Sequence, residues 1–231
     1  MLKKLTTFLC LLISSSMYAG DPDLFYFVAD GNDRLYSVDR VTTTVTNIGA
    51  TGVSNIEAIA YYPIPGANQL FAANNGEFGE LNTSTGAYTS IADIDGAGPM
   101  NGALGAQSVT DVDAMMLDGQ TFIIWAAQRN SPNDLLFQIN PTTGQVIRSA
   151  FGSGVDYIVV TGPGINVDVD DLGVDPTTGR MYASNNDGGT SDNLIEINKF
   201  NATYAVLAAL GEDDIEGMAF HNDGTLYGSE G

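Results

Sequence analysis

Four acids recur in one local phrase, and carboxylates that a fold brings together can hold a hard cation. Glu57 lies in Ile56-Glu57-Ala58-Ile59-Ala60, Asp113 in Val112-Asp113-Ala114-Met115-Met116, Asp170 in Val169-Asp170-Asp171-Leu172-Gly173 and Glu216 in Ile215-Glu216-Gly217-Met218-Ala219. The acids stand 56, 57 and 46 residues apart. Each follows a β-branched residue and precedes an apolar pair, so each marks the start of a short strand. Like carboxylates that converge raise one another's pKa unless a cation or hydrogen-bond donors sit among them. Calcium accepts six to eight oxygens and is the ion such a set predicts. Asp30, Asn74 and Asn185 end neighbouring strands and form a second tier of oxygen ligands. A zinc or copper site is not expected, because the chain has one His and one Cys.

The alternative use of these acids is structural. A carboxylate at a fixed repeat position can accept backbone N–H groups from the next repeat and pin the two together. Both uses stay open at this point. The run Asn166-Val167-Asp168-Val169-Asp170-Asp171 lacks the Gly and the distal Glu of an EF-hand and reads as the beginning of a strand.

The elements that position the acids repeat with them. A second phrase follows each acid: Gln69 to Asn74, Thr121 to Gln128, Arg180 to Asn185 and Thr225 to Glu230. A third runs into a turn: Leu35 to Asp39, Gly79 to Asn82, Leu136 to Asn140 and Leu194 to Asn198. Two of these turns continue as Asn82-Thr83-Ser84-Thr85-Gly86 and Asn140-Pro141-Thr142-Thr143-Gly144, in which Asn bonds its own backbone and Gly supplies positive φ. About four short strands per repeat at this period predict an all-β chain, a β-propeller of four-stranded blades. A β-helix needs shorter repeats, and a sandwich does not repeat one phrase four times.

The blades are expected near 24–48, 55–92, 111–151, 168–210 and 214–231, all within one propeller domain over 20–231. The first lacks its acid strand and the last has only two strands, so about four blades are visible. The expectation is a piece of a larger propeller. Residues 93–110 and 152–166 are expected as long connections on the face that carries the acids, with an extra strand at Tyr157 to Val160. Glu57, Asp113, Asp170 and Glu216 are then a ring at the channel mouth. His221 falls in a turn at the opposite end.

Residues 1–19 read as a signal peptide: Lys3-Lys4, the apolar run Leu5 to Ile13, then small residues up to Ala19. That run is too short to span a bilayer. Cleavage after Ala19 removes the only Cys, Cys10, and leaves six of the eight basic residues against all 28 acids. A secreted, periplasmic or cell-surface location follows, without membrane insertion and without disulfides. The formal net charge of −20 excludes nucleic-acid binding through surface charge. Asn82-Thr83-Ser84 and Asn201-Ala202-Thr203 match the glycosylation pattern but fall in predicted turns. The aromatic residues mostly fall within strands, where they form sheet-to-sheet core.

Ile215-Glu216-Gly217-Met218-Ala219-Phe220 followed by Asn222-Asp223-Gly224-Thr225-Leu226-Tyr227-Gly228 resembles the blade phrase of secreted bacterial β-propeller repeat proteins of largely unknown function. The chain is more weakly similar to calcium-dependent propellers, the β-propeller phytases and the gluconolactonase–regucalcin group. In the phytases an acid–Gly phrase supplies metal ligands, which carries over to Glu216 and its equivalents Glu57, Asp113 and Asp170. The phytases also hold phosphate with several basic residues. Here Arg34, Arg40, Arg129, Arg148, Arg180 and Lys199 are scattered, which argues against that activity. Two functions remain. One is an exported non-catalytic module that binds a protein or glycan and is stabilised by calcium. The other is a calcium-dependent lactonase-like or esterase-like hydrolase at the channel mouth. No Ser–His or Cys–His pair is evident, so chemistry there has to centre on the metal.

Overall fold

The computed structural model describes residues 23–29, 32–64, 67–164, 167–186, 191–212 and 214–230. The signal-peptide reading over 1–19 and the candidate ligand Asp30 lie outside the described residues. The chain is all-β. Its first sheet is β1 (Leu24–Ala29), β2 (Arg34–Asp39) and β3 (Val45–Ala50). The second is β4 (Ile56–Ile64), β5 (Ala67–Asn74), β6 (Glu77–Leu81) and β7 (Tyr88–Asp93). A small hairpin, β8 (Met100–Gly102) and β9 (Gly105–Gln107), precedes the third sheet. That sheet comprises β10 (Val112–Asp118), β11 (Ile123–Gln128), β12 (Leu135–Asn140), β13 (Gln145–Val146) and β14 (Tyr157–Val159). The fourth is β15 (Val169–Val174), β16 (Met181–Asn185), β17 (Asn193–Ile197) and β18 (Tyr204–Ala209). The hairpin β19 (Ile215–Phe220) and β20 (Leu226–Glu230) ends the chain.

The sheets are antiparallel meanders, as short turns demand, except that β14 pairs with β12 outside the meander order. The sheets stand around a common centre as in a four-bladed propeller. The inner strands β4, β10, β15 and β19 pack side by side in that order. Burial falls toward the outermost strand in the second, third and fourth sheets. β10 is almost wholly buried, whereas β7 and β18 are largely exposed. This gradient explains the sequence. Strands covered on both faces read as apolar runs, and the outer strands β3 and β7 carry Thr, Ser or Asn, whereas β18 exposes Val206 and Leu207.

The core lies between blades. Phe71, Phe78, Met115, Phe137 and Tyr157 fill the layer between the second and third sheets. Trp125, Leu172, Met181 and Ile195 fill the next. Leu35, Ile56 and Leu70 hold the first sheet to the second. Burying one such Leu or Phe contributes about 1.5–3 kcal/mol. The first sheet and the last hairpin touch through Phe25 and Tyr227, whose ring centroids are 5.0 Å apart. Arg40 joins them by a hydrogen bond to Tyr227 Oη. They are not hydrogen-bonded into one sheet.

The recurring turns form as their residues dictate. Asn82 Oδ1 accepts the amides of Ser84 and Thr85, and Asn140 Oδ1 accepts that of Thr142. Gly86 (φ 83°) and Gly144 (φ 70°) complete them.

Two expected long connections turn out to be partly structured. Residues 93–110 contain the β8–β9 hairpin. Arg148 pins this segment by donating to the carbonyls of Asp95, Gly98 and Pro99 and to Asp156 Oδ2. Tyr157 to Val159 is not an addition to a complete blade. β13 supplies only two residues of the outer position, opposite Ile139 and Asn140, and β14 supplies the remainder opposite Leu135 to Phe137. The outer strand of this blade is therefore split by an excursion that carries Asp156.

Candidate functional site

Each inner strand slips by one residue against its neighbour at the same place. Ile56 faces Asn74 but Ala58 faces Ala73; Val112 faces Gln128 but Ala114 faces Ala127. Val169 faces Asn185 but Asp171 faces Ser184; Ile215 faces Glu230 but Gly217 faces Ser229. The extra residue in the four bulges is Glu57, Asp113, Asp170 and Glu216 in turn. A bulged residue leaves the ladder and its side chain is re-aimed, a device common beside functional sites.

The bulges bring neighbouring acids together across blade boundaries. Carboxylate oxygens of Glu57, Asp111 and Asp113 all lie within 4.8 Å of one another, as do those of Asp113, Asp134 and Asp168. Asp170 lies close enough to Glu216 for its charge to be felt. Arg129 bridges the middle of the row: its guanidinium is 3.6 Å from Asp113, 3.2 Å from Asp168 and 3.8 Å from Asp170. The four expected residues thus form a row with Arg129 set into it.

Asp113 is the centre of this arrangement. It is 5% exposed, and neither carboxylate oxygen accepts a hydrogen bond. Burial pushes its pKa up to about 8; Arg129 opposes this, while Asp111, Asp134 and Glu57 add to it. Asp170 is also raised to about 8, by burial and then by Asp168 and Asp192, with Arg129 opposing. Its Oδ2 is buried without a hydrogen bond. For Arg129, burial works against the charge, but the surrounding acids outweigh it and raise the guanidinium's pKa.

Three other acids pin blade to blade. Asp134 accepts the amides of Asn130 and Val169, the latter at the start of the next inner strand. Asp192 repeats the contact one blade on, accepting Ile215 N at 2.6 Å. Asp171 accepts Met218 N of β19. Burial raises Asp134 to about 7 and Asp171 to about 8, against the lowering effect of those amides.

The second-tier residues divide. Asn185 Oδ1 accepts the Asp168 amide. Asn74 Oδ1 is buried without a hydrogen bond. Asn74 also lines an open groove of about 410 Å³ with Asn75, Gly76, Glu77, Asp93, Asp95, Ser108 and Val109. The groove abuts the acid row, because Asn74 pairs with Ile56 and Val109 stands two residues before Asp111. His221 lies in the β19–β20 turn, about 17 Å of strand away from Glu216 at ~3.3 Å per residue. It bonds Asp223 there.

Sequence reasoning missed Asp111, Asp134, Asp168 and Arg129. Asp111 and Asp168 had a signal, since each stands two residues before the acid of its phrase in Asp-Val-Asp. Arg129 had none, because no other blade carries a base there.

No protein-family profile matches the chain, and no curated protein sequence matches it. Solved structures do. The chain is similar to a chain of Kuenenia stuttgartiensis hydrazine synthase, with TM-score 0.51, 13% identity, and 88% of this chain aligned to 51% of that one. It is similar to a chain of a nidogen/laminin complex with TM-score 0.55 and 10% identity, covering 92% and 70%. An extracellular domain of a putative hybrid two component system from B. thetaiotaomicron gives 0.45 and 15%, covering 89% and 24%. At these identities the first two likenesses bear on the propeller fold alone. The chain spans about half of the hydrazine synthase chain and a quarter of the two-component one.

Proposed function

We propose that the chain is an exported, non-catalytic β-propeller that binds a protein or glycan ligand across the face carrying the acid row. The observation that supports this reading is the open polar groove beside the row, where amides of Asn74 and Asn75 and carboxylates of Glu77, Asp93 and Asp95 converge. Such groups accept and donate hydrogen bonds to hydroxyl and amide ligands. Export rests on the leader-like residues 1–19. Among the described residues, no helix is long and apolar enough to cross a membrane.

A second reading is a calcium-dependent hydrolase. The grouping of carboxylates from neighbouring blades beside an open groove favours it, as a place where a calcium ion would polarise a bound ester or water.

Screening the purified chain against glycan and surface-protein arrays, with chromogenic esters and lactones as a parallel assay, separates the two. Saturable binding weakened by Glu77→Ala, with no turnover, is the expected result. Turnover abolished by Asp113→Asn, without array binding, would replace it with the hydrolase.

A further inference from the structure

Arg129 sits among one cluster of rim acids, and the residue at its position one blade earlier is uncharged. Arg129 follows Gln128, the residue that pairs with Val112 at the bulge. From there it reaches the acid of its own blade, Asp113, and the Asp168 and Asp170 pair of the next. Stepping back one blade, the corresponding trio is Glu57, Asp111 and Asp113. The residue corresponding to Arg129 is Asn75, which follows Asn74, the partner of Ile56. Asn75 carries no charge.

We infer that the trio Glu57, Asp111 and Asp113 binds a divalent cation, with calcium as the preferred ion, in the place that Arg129 fills one blade on. Two observations carry this. The three carboxylates lie within 4.8 Å of one another. Calcium–oxygen distances of about 2.3–2.6 Å place ligands on opposite sides of the ion about 5 Å apart, so this spacing suits it. Asp113 is nine-tenths buried, yet both of its oxygens lack a hydrogen bond, and the guanidinium it meets is 3.6 Å from Oδ2 and shared with Asp168 and Asp170, which leaves a buried carboxylate short of partners. The trio also differs from the ligand set expected from the sequence. Asp170 belongs to the Arg129 half of the row, and Asp111 takes its place. Carboxylate oxygens select a hard ion over a soft one, and a loose trio open on the Glu57 side accommodates calcium's variable shell better than magnesium's rigid octahedron.

The site borders the groove of the proposed binding face, but its test uses calcium alone and is independent of the ligand screen. Purified full chain is titrated with CaCl2 by calorimetry after chelator treatment, alongside Asp113→Asn, Glu57→Gln and Glu80→Gln. Glu80, in the body of β6, controls for the loss of one charge. One equivalent is expected to bind the wild type and Glu80→Gln alike, with affinity falling roughly tenfold or more in the two trio variants. Magnesium is expected to bind more weakly. The trio variants should remain folded, because each relieves like-charge crowding; should Asp113→Asn not fold, the exposed Glu57→Gln carries the comparison. Absence of calcium binding by folded wild type overturns the inference, as does unchanged affinity in Glu57→Gln.

Discussion

Asp134 Oδ2 accepts the Val169 amide at 2.7 Å, so a carboxylate of the third sheet holds the first residue of the fourth sheet's inner strand. Asp192 holds Ile215 in the same way. Removing either acceptor leaves a partly or wholly buried N–H without a partner. Asp134→Ala and Asp192→Ala are each expected to lower stability by about 1–3 kcal/mol, measured by urea denaturation. Asn at either position retains a carbonyl acceptor and is expected to cost less.

Arg129 does from within what a bound ion does from solution. Arg129→Gln removes the charge among Asp113, Asp168 and Asp170. In chelator this variant is expected to melt below wild type, since three acids then face one another. Calcium is expected to restore part of the loss, and native mass spectrometry to show a second equivalent. A variant that melts like wild type in chelator would show that the guanidinium contributes little to the row.

Acid sensitivity is expected to arise at a different place. Burial raises the Asp118 carboxyl's pKa, but Lys199 at 2.7 Å and the turn amides outweigh this and leave it below its usual value. A group depressed in the folded state adds stability above its unfolded pKa, and that stability is lost as pH falls through the folded value. Asp118→Asn is expected to flatten the stability loss below about pH 4. The rim acts with the opposite sign. Asp113 and Asp170, raised to about 8, favour the folded state in acid, and that contribution falls as pH rises from about 4 towards 8. Denaturation in chelator at pH 5 and pH 8 checks this, with the higher rim contribution expected at pH 5.

Arg148 is the clamp on residues 95–107. Its guanidinium reaches three carbonyls there and Asp156, which itself accepts the Asn101 amide. Arg148→Gln is expected to speed amide hydrogen exchange at Asn101 and Leu104 while leaving β10–β12 protected. Equal loss of protection in both places would mean that the hairpin and the blade open as one unit.

The sequence made the repeat legible because inner strands must be apolar on both faces, and Val112 to Leu117 therefore looks like Ile56 to Tyr61. It also showed that four acids share one position. It did not show why they converge, since a bulge exists only in the pairing of two strands and Ile56–Asn74 is invisible along one chain. Asp134 and Asp192 were readable in principle: each stands two residues before the Leu that opens the third phrase, Leu136 or Leu194. β14 was harder, because its pairing with β12 follows a ten-residue departure after β13 and depends on distant contacts, such as Tyr157 packing in the core. Arg129 breaks the repeat, and repeat reasoning overlooks what breaks it.

Thermal unfolding of the purified chain in millimolar calcium and in chelator, for wild type and Asp113→Asn, addresses the central claim most directly. A ligand present at 100 times its Kd stabilises the folded state by ~2.7 kcal/mol. For a domain of this size that corresponds to a rise of roughly 5–11 °C. The expected result is such a rise in wild type, and in Asp113→Asn a chelator melting point no lower than wild type with the calcium response gone. Equal melting points for wild type with and without calcium, or an equal rise in Asp113→Asn, would contradict it.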